Sequence, residues 1–142
     1  MKRMTNHLMT AAAVLMIGAG AASAQSSLKA EIPFAFSAGR KVTEPGTYKV
    51  KALPSLSSII TFEIRNMATG DAFLLVTNVG SDVPKHWLAS GTPRMEFECG
   101  SGACALSKIW MGEGTAHRIS GPRKKSGEVQ LSEIVLKSDK GD

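Results

Sequence analysis

Cys99 and Cys104 are the two cysteines of this chain, and their spacing does most to restrict its chemistry. Gly100-Ser101-Gly102-Ala103 lies between them. A redox-active dithiol keeps two residues between its cysteines and sits at a helix start. Here the spacer is glycine-rich and joins two runs of alternating apolar and polar residues, which reads as a β-hairpin loop. Facing residues of a non-hydrogen-bonded antiparallel pair have Cα atoms about 4.5 Å apart, within the range a disulfide bridges. A structural disulfide is therefore expected, contributing about 2 kcal/mol because the loop it closes is short.

Other reactive side chains do not converge in the sequence. The histidines beyond the leader, His86 and His117, fall on separate irregular stretches, and paired cysteines are lost as ligands, so neither a metal nor a cofactor is expected. No G-x-S-x-G elbow is present. Ser101, His117 and Asp82 make a Ser–His–Asp set only if geometry is ignored. Glu96 and Glu98 share one strand face beside Arg94, whereas a glycosidase sets its carboxyl groups across a cleft, about 5–9 Å apart. No catalytic residue is assigned, and the chain is read as non-catalytic.

Two features suit binding. Arg118, Arg123, Lys124 and Lys125 crowd a segment containing Gly121 and Pro122. Such a cluster suits phosphate, an acidic polysaccharide or a lipid headgroup. The plainer reading is a charged loop that keeps the protein soluble. Trp87 and Trp110 would suit a sugar-stacking patch, or would simply pack in the core or at its rim.

The elements that must hold these residues follow a leader. Lys2 and Arg3 precede an apolar run from Leu8 to Ala22, which ends in Ala22-Ser23-Ala24 before Gln25. That is the layout of a secretory signal peptide over residues 1–24. The run is shorter than the roughly 20 residues that span a bilayer, and the mature chain offers no other transmembrane candidate. Cleavage would leave 118 of the 142 residues, enough for one core. Losing Lys2 and Arg3 would leave fifteen basic against twelve acidic residues, a net +3. That excess is too small to call for a nucleic-acid partner, which an exported protein rarely meets.

In the rest of the chain the dominant period is two. Strands are expected near residues 28–36, 47–52, 58–65, 72–79, 94–99, 104–111 and 128–137, the last with a phase slip near Ser132 that leaves a short helix as its alternative. The core side chains would be Ile32, Phe34, Tyr48, Val50, Ile60, Phe62, Ile64, Leu74, Val76, Met95, Phe97 and Leu106. Ala72 to Val79 is nearly all apolar and reads as a central strand buried on both faces. The alternation blurs at Lys108, Ile109 and Trp110, where a β-bulge would re-aim the side chains. Residues 80–93 read as an irregular connection. About seven short strands at this spacing predict an all-β domain over 25–137, an antiparallel sandwich or small barrel, with a frayed tail over 138–142.

Several of these segments also resemble segments of a known group of proteins. Ile32-Pro33-Phe34-Ala35-Phe36, Gly39 and Pro45-Gly46-Thr47-Tyr48-Lys49-Val50 are similar to the opening of small exported proteins abundant in acidobacteria. Met95-Glu96-Phe97 and Leu106-Ser107-Lys108-Ile109-Trp110 resemble the later hairpin of that group. The resemblance covers most of the mature chain and implies an exported β fold. It brings no established activity and no catalytic residue.

The sequence thus predicts an exported, non-catalytic β domain, periplasmic or extracellular, with a structural or binding role. Its candidate partners are anionic envelope polymers or lipid headgroups. The alternatives are a small secreted hydrolase with a site outside the known motifs, and a ligand-holding β-barrel.

Overall fold

The computed structural model describes residues 27–121 and 127–139. The signal peptide expected over 1–24, three of the four basic-cluster residues (Arg123, Lys124 and Lys125) and residues 140–142 lie outside them.

The fold is an all-β sandwich. Its elements run β1 (Leu28–Ile32), β2 (Phe36–Ala38), β3 (Lys41–Thr43), β4 (Gly46–Leu53), β5 (Ile60–Asn66), β6 (Ala72–Thr77) and β7 (Gly80–Ser81). They continue as α1 (Lys85–Ser90), β8 (Arg94–Cys99), β9 (Cys104–Trp110), β10 (Ala116–Arg118), β11 (Gln130–Val135) and β12 (Lys137–Ser138). One sheet has the order β12-β1-β4-β5-β6. The second has the order β11-β8-β9-β10-β7, with the β2–β3 hairpin attached to β9 through β2. The pairs are antiparallel except β2 with β9, which is parallel. Seven strands, β1, β4, β5, β6, β8, β9 and β11, overlap the seven expected from alternation, but the first and last expected runs are each split: Phe36 starts β2 in the second sheet and Lys137 starts β12 in the first. The other five are two or three residues long, too short to show a period.

Alternation sets the core. Tyr48, Val50, Phe62, Ile64, Met95 and Phe97 are fully buried between the sheets, while their sequence neighbours on the same strands face outward or are partly exposed. Phe36 packs edge-to-face on Tyr48 and Phe97, with ring centroids 5.2 and 5.3 Å away. Such pairs add about 0.5–1.5 kcal/mol beyond burial. The Tyr48 hydroxyl, at the end of a buried ring, donates to the Glu44 carbonyl, lies 2.7 Å from the Thr43 hydroxyl and accepts from Asn66 Nδ2 at 3.2 Å. A buried hydroxyl without partners would be costly; this one is satisfied.

Three expectations are corrected. β6 is not central: among the described residues it is an edge strand paired only with β5, and Leu74 and Val76, expected in the core, are 58% and 66% exposed. The tail does not fray at its start. Lys137 and Ser138 pair with β1, and Asp139 holds Lys49 at 2.8 Å and Lys29 at 3.4 Å. The hydrogen bond from Lys49 acts first on the Asp139 carboxyl, and despite opposing burial the two lysines hold it below its ordinary value. Finally, residues 80–93 are not wholly irregular, since they form β7 and the helix α1.

The bulge lies where the phase blurs. Glu96 faces Lys108, but Phe97 faces Leu106, so Ser107 is the extra residue of β9. That shift lets Leu106 and Ile109 both enter the core and turns Lys108 outward.

Candidate binding groove on the outer face of the second sheet

The outer face of the second sheet has a closed end and an open end, and the bulge at Ser107 lies between them. At the closed end, α1 presses Trp87 onto the sheet. Pro84 precedes the helix, and Gly91 ends it with φ of 62°, a left-handed conformation that costs glycine little. Trp87 stacks on Trp110, with centroids 6.4 Å apart and ring planes 24° apart. They form a second small apolar cluster with Ala116.

A carboxylate pins this helix. Glu133 Oε1 accepts from Trp87 Nε1 at 2.8 Å and lies 2.6 Å from His86 Nε2. Glu133 Oε2 accepts from Arg94 Nη1 at 2.9 Å. Burial would raise the Glu133 carboxyl. The hydrogen bonds from Trp87, His86 and Arg94, with the charge of His86, outweigh burial and hold it below its ordinary value. Lys108 Nζ lies 5.8 Å from the centre of the Trp87 ring, a cation–π contact.

The open end is a groove of about 630 Å³. Its floor carries Glu96, Glu98, Ala105 and Ser107; Arg118 and Gly121 lie along one side and Val129 along another. The Cys99–Cys104 bridge closes the β8–β9 hairpin with Cα atoms 4.2 Å apart, and Cys99 and Gly100 border the groove. On the floor, the Ser107 hydroxyl is 3.0 Å from Glu96 Oε1 and 3.1 Å from the Glu96 carbonyl, so its one proton serves either acceptor. Lys108 Nζ lies 3.9 Å from the same carboxylate. Among the described residues, Glu98 and the Arg118 guanidinium make no ion pair. The Arg118 backbone is held: its carbonyl accepts from the Thr77 hydroxyl at 2.6 Å, and its amide donates to the Val79 carbonyl at 3.0 Å.

The residues singled out from sequence separate accordingly. The cysteines are bridged. Trp87 and Trp110 do come together, but at 0% and 2% exposure they are packing residues and offer no exposed stacking patch. The reason is that α1 covers them, and a six-residue helix in a proline- and glycine-bounded stretch gives little periodic signal. Arg118 lies on the groove. His86 binds Glu133, whereas His117 packs on Phe62 with ring centroids 5.6 Å apart, and burial lowers its pKa. The described residues contain no group of three His, Cys, Asp or Glu side chains placed to hold a metal. Glu133 was missed in the sequence, because nothing local marks a carboxylate that gathers donors from α1 and β8. The Ser107–Glu96 contact was signalled only indirectly, by the blurred phase that starts at Lys108, one residue further on.

The fold and this face define an all-β sandwich with one helix-covered and one grooved region on the same sheet. No family model, curated protein or solved structure matches the chain.

Proposed function

We propose that the protein is an exported, non-catalytic domain that binds an anionic ligand at the groove, in the periplasm or outside the cell. The observation that carries this reading is Arg118 on the groove wall. Its side chain has no ion pair among the described residues, and Arg123, Lys124 and Lys125 follow in sequence directly after the groove residue Gly121 and Pro122. Phosphate or carboxylate groups of an envelope polymer or a lipid headgroup are the ligand chemistry such a cluster takes. The Cys99–Cys104 bridge supports export, because disulfides persist in oxidising compartments. The leader over 1–24 and the resemblance to small exported acidobacterial proteins support the same reading. Aromatic side chains fill the space between the sheets, which favours the outer groove over a barrel-like interior ligand site.

Binding to phosphatidylglycerol vesicles, to phosphatidylcholine vesicles and to polyglutamate tests this. Charge-driven binding falls steeply between low and physiological salt, where the Debye length reaches about 8 Å. Replacing Arg118, Arg123, Lys124 and Lys125 by Ser should abolish it with the fold intact. Preference for vesicles over polyglutamate would identify a headgroup, and the reverse a polymer. Salt-independent binding, or none, would refute the reading.

One observation favours the hydrolase alternative: the Ser107 hydroxyl 3.0 Å from a carboxylate on the groove floor. Labelling of Ser107 by a fluorophosphonate, lost in Glu96→Gln, would support a nucleophilic serine. An unlabelled Ser107 would leave the contact as part of the bulge.

A further inference from the structure

We propose that β6 is a self-association edge, along which two copies of this chain pair antiparallel and join their five-stranded sheets into one. The composition of β6 does not match its position. Ala72-Phe73-Leu74-Leu75-Val76-Thr77 has the apolar make-up of a strand with neighbours on both sides, yet among the described residues it pairs on one side only, with β5. Leu75 and Thr77 point into the core at 6% and 5% exposure, while Leu74 and Val76 stand bare on the outer face.

Natural sheets guard their edges with charges, prolines, bulges or very short strands. The other edges of this sandwich follow that rule. Within their own strands, β12 carries Lys137, β3 carries Lys41, β11 carries Glu133, and β7 is two residues long. β6 has none of these devices: no charge, no proline, and an unbroken register from Ala72↔Arg65 to Thr77↔Ile60. An edge left open in this way is a template for another strand.

A second copy is the occupant that fits. An uncharged strand meets its own copy without repulsion. A two-fold axis at Leu75 sets Leu74 beside the partner's Val76, and Val76 beside the partner's Leu74. The four bare side chains then become cross-strand neighbours on one face. Asp71 precedes the strand, and Glu63 and Arg65 of β5 face Leu74 and Ala72, while Lys41 sets its ammonium 5.3 Å from the centre of the Phe73 ring. In this register the two Phe73 positions are four residues apart along the strand, about 14 Å at 3.4 Å per residue. That exceeds the screening length of about 8 Å at physiological salt, so the two lysines barely oppose each other. Six residues a side is well short of the 20–30 of a standard interface. The dimer is therefore weak and concentration-dependent, not obligate.

Sedimentation of the purified chain, as recovered from its host, tests the pairing up to about 1 mM. The weight-average mass should climb towards twice the monomer. Val76→Lys and, separately, Leu74→Lys should hold the mass at the monomer throughout. Val42→Lys, at a 66%-exposed position on β3, should leave the climb unchanged. Amide exchange gives a second readout without substitution: protection over 72–76 should rise with concentration, while protection over β11 should not. A monomer at every concentration would overturn the proposal, as would association that survives both Leu74→Lys and Val76→Lys or exchange over 72–76 that ignores concentration. None of these results bears on anion binding at the groove, which lies on the other sheet.

Discussion

The closed and open ends of the second sheet carry similar side chains in opposite states. At the closed end a carboxylate, an arginine, a histidine and a tryptophan are joined: Glu133 accepts from Arg94, His86 and Trp87, and two tryptophans lie beneath the helix. At the open end, Glu98 and Arg118 make no ion pair among the described residues, and the space above them is a groove. The difference lies in what covers the sheet. α1 shields one end and turns its polar groups into structural bonds; among the described residues no helix covers the other end, where we propose that the same kinds of group meet a ligand. A cluster of titratable residues therefore marks a binding site only where its hydrogen-bonding capacity is unspent.

The largest predicted effect strikes the closed end. Trp87→Ala removes the fully buried ring that seats α1, and should cost about 3–5 kcal/mol in denaturant unfolding. Anion binding to whatever remains folded should be little changed. Should the same substitution abolish binding in the folded protein, the two ends would be one site.

Reduction, or Cys99→Ser, acts on the open end and should cost about 2 kcal/mol, because the bridge closes a short loop. It loosens residues that border the groove, so binding should weaken together with stability. Thiols that react freely with an alkylating agent before reduction would contradict the bridge itself.

Glu133→Gln should have a smaller effect, about 1 kcal/mol, since the carboxylate is partly exposed and screened. It leaves Arg94, whose buried Nε has no partner among the described residues, without its carboxylate. The pH dependence has a definite sign. A carboxyl held below its ordinary value of 4.5 stabilises the fold above that pH, and the contribution fades as pH falls through the lower, folded-state value. Wild type and Glu133→Gln should therefore differ at neutral pH and converge in acid below pH 4.5. A constant gap between them would mean that the charge of Glu133 does not matter.

Much of this architecture was legible in the residues. The seven longer strands, the hairpin between Cys99 and Cys104 and a bulge beside Lys108, which the structure centres one residue earlier at Ser107, all follow from alternation and its interruptions, because a half-buried strand must alternate. β6 misled for a physical reason: apolar residues on both faces look the same in a central strand and in an edge strand that leaves one row uncovered. The closed end was illegible because Glu133, Arg94 and Trp87 meet through tertiary packing across about forty residues, with no local spacing to announce it. For the candidate groove, the sequence offered Arg118 and its basic neighbours but not Glu96 and Ser107, whose contact depends on a one-residue register shift.

The proposed anionic ligand should meet the open end and not the closed one. The most direct measurement is a backbone amide NMR titration with inorganic polyphosphate at low salt. The predicted result is shifts concentrated at residues 105–108 and 118–121, reversed by salt, with the amides of α1 and the Trp87 indole unmoved. Shifts centred on α1, or no response at the groove, would contradict it.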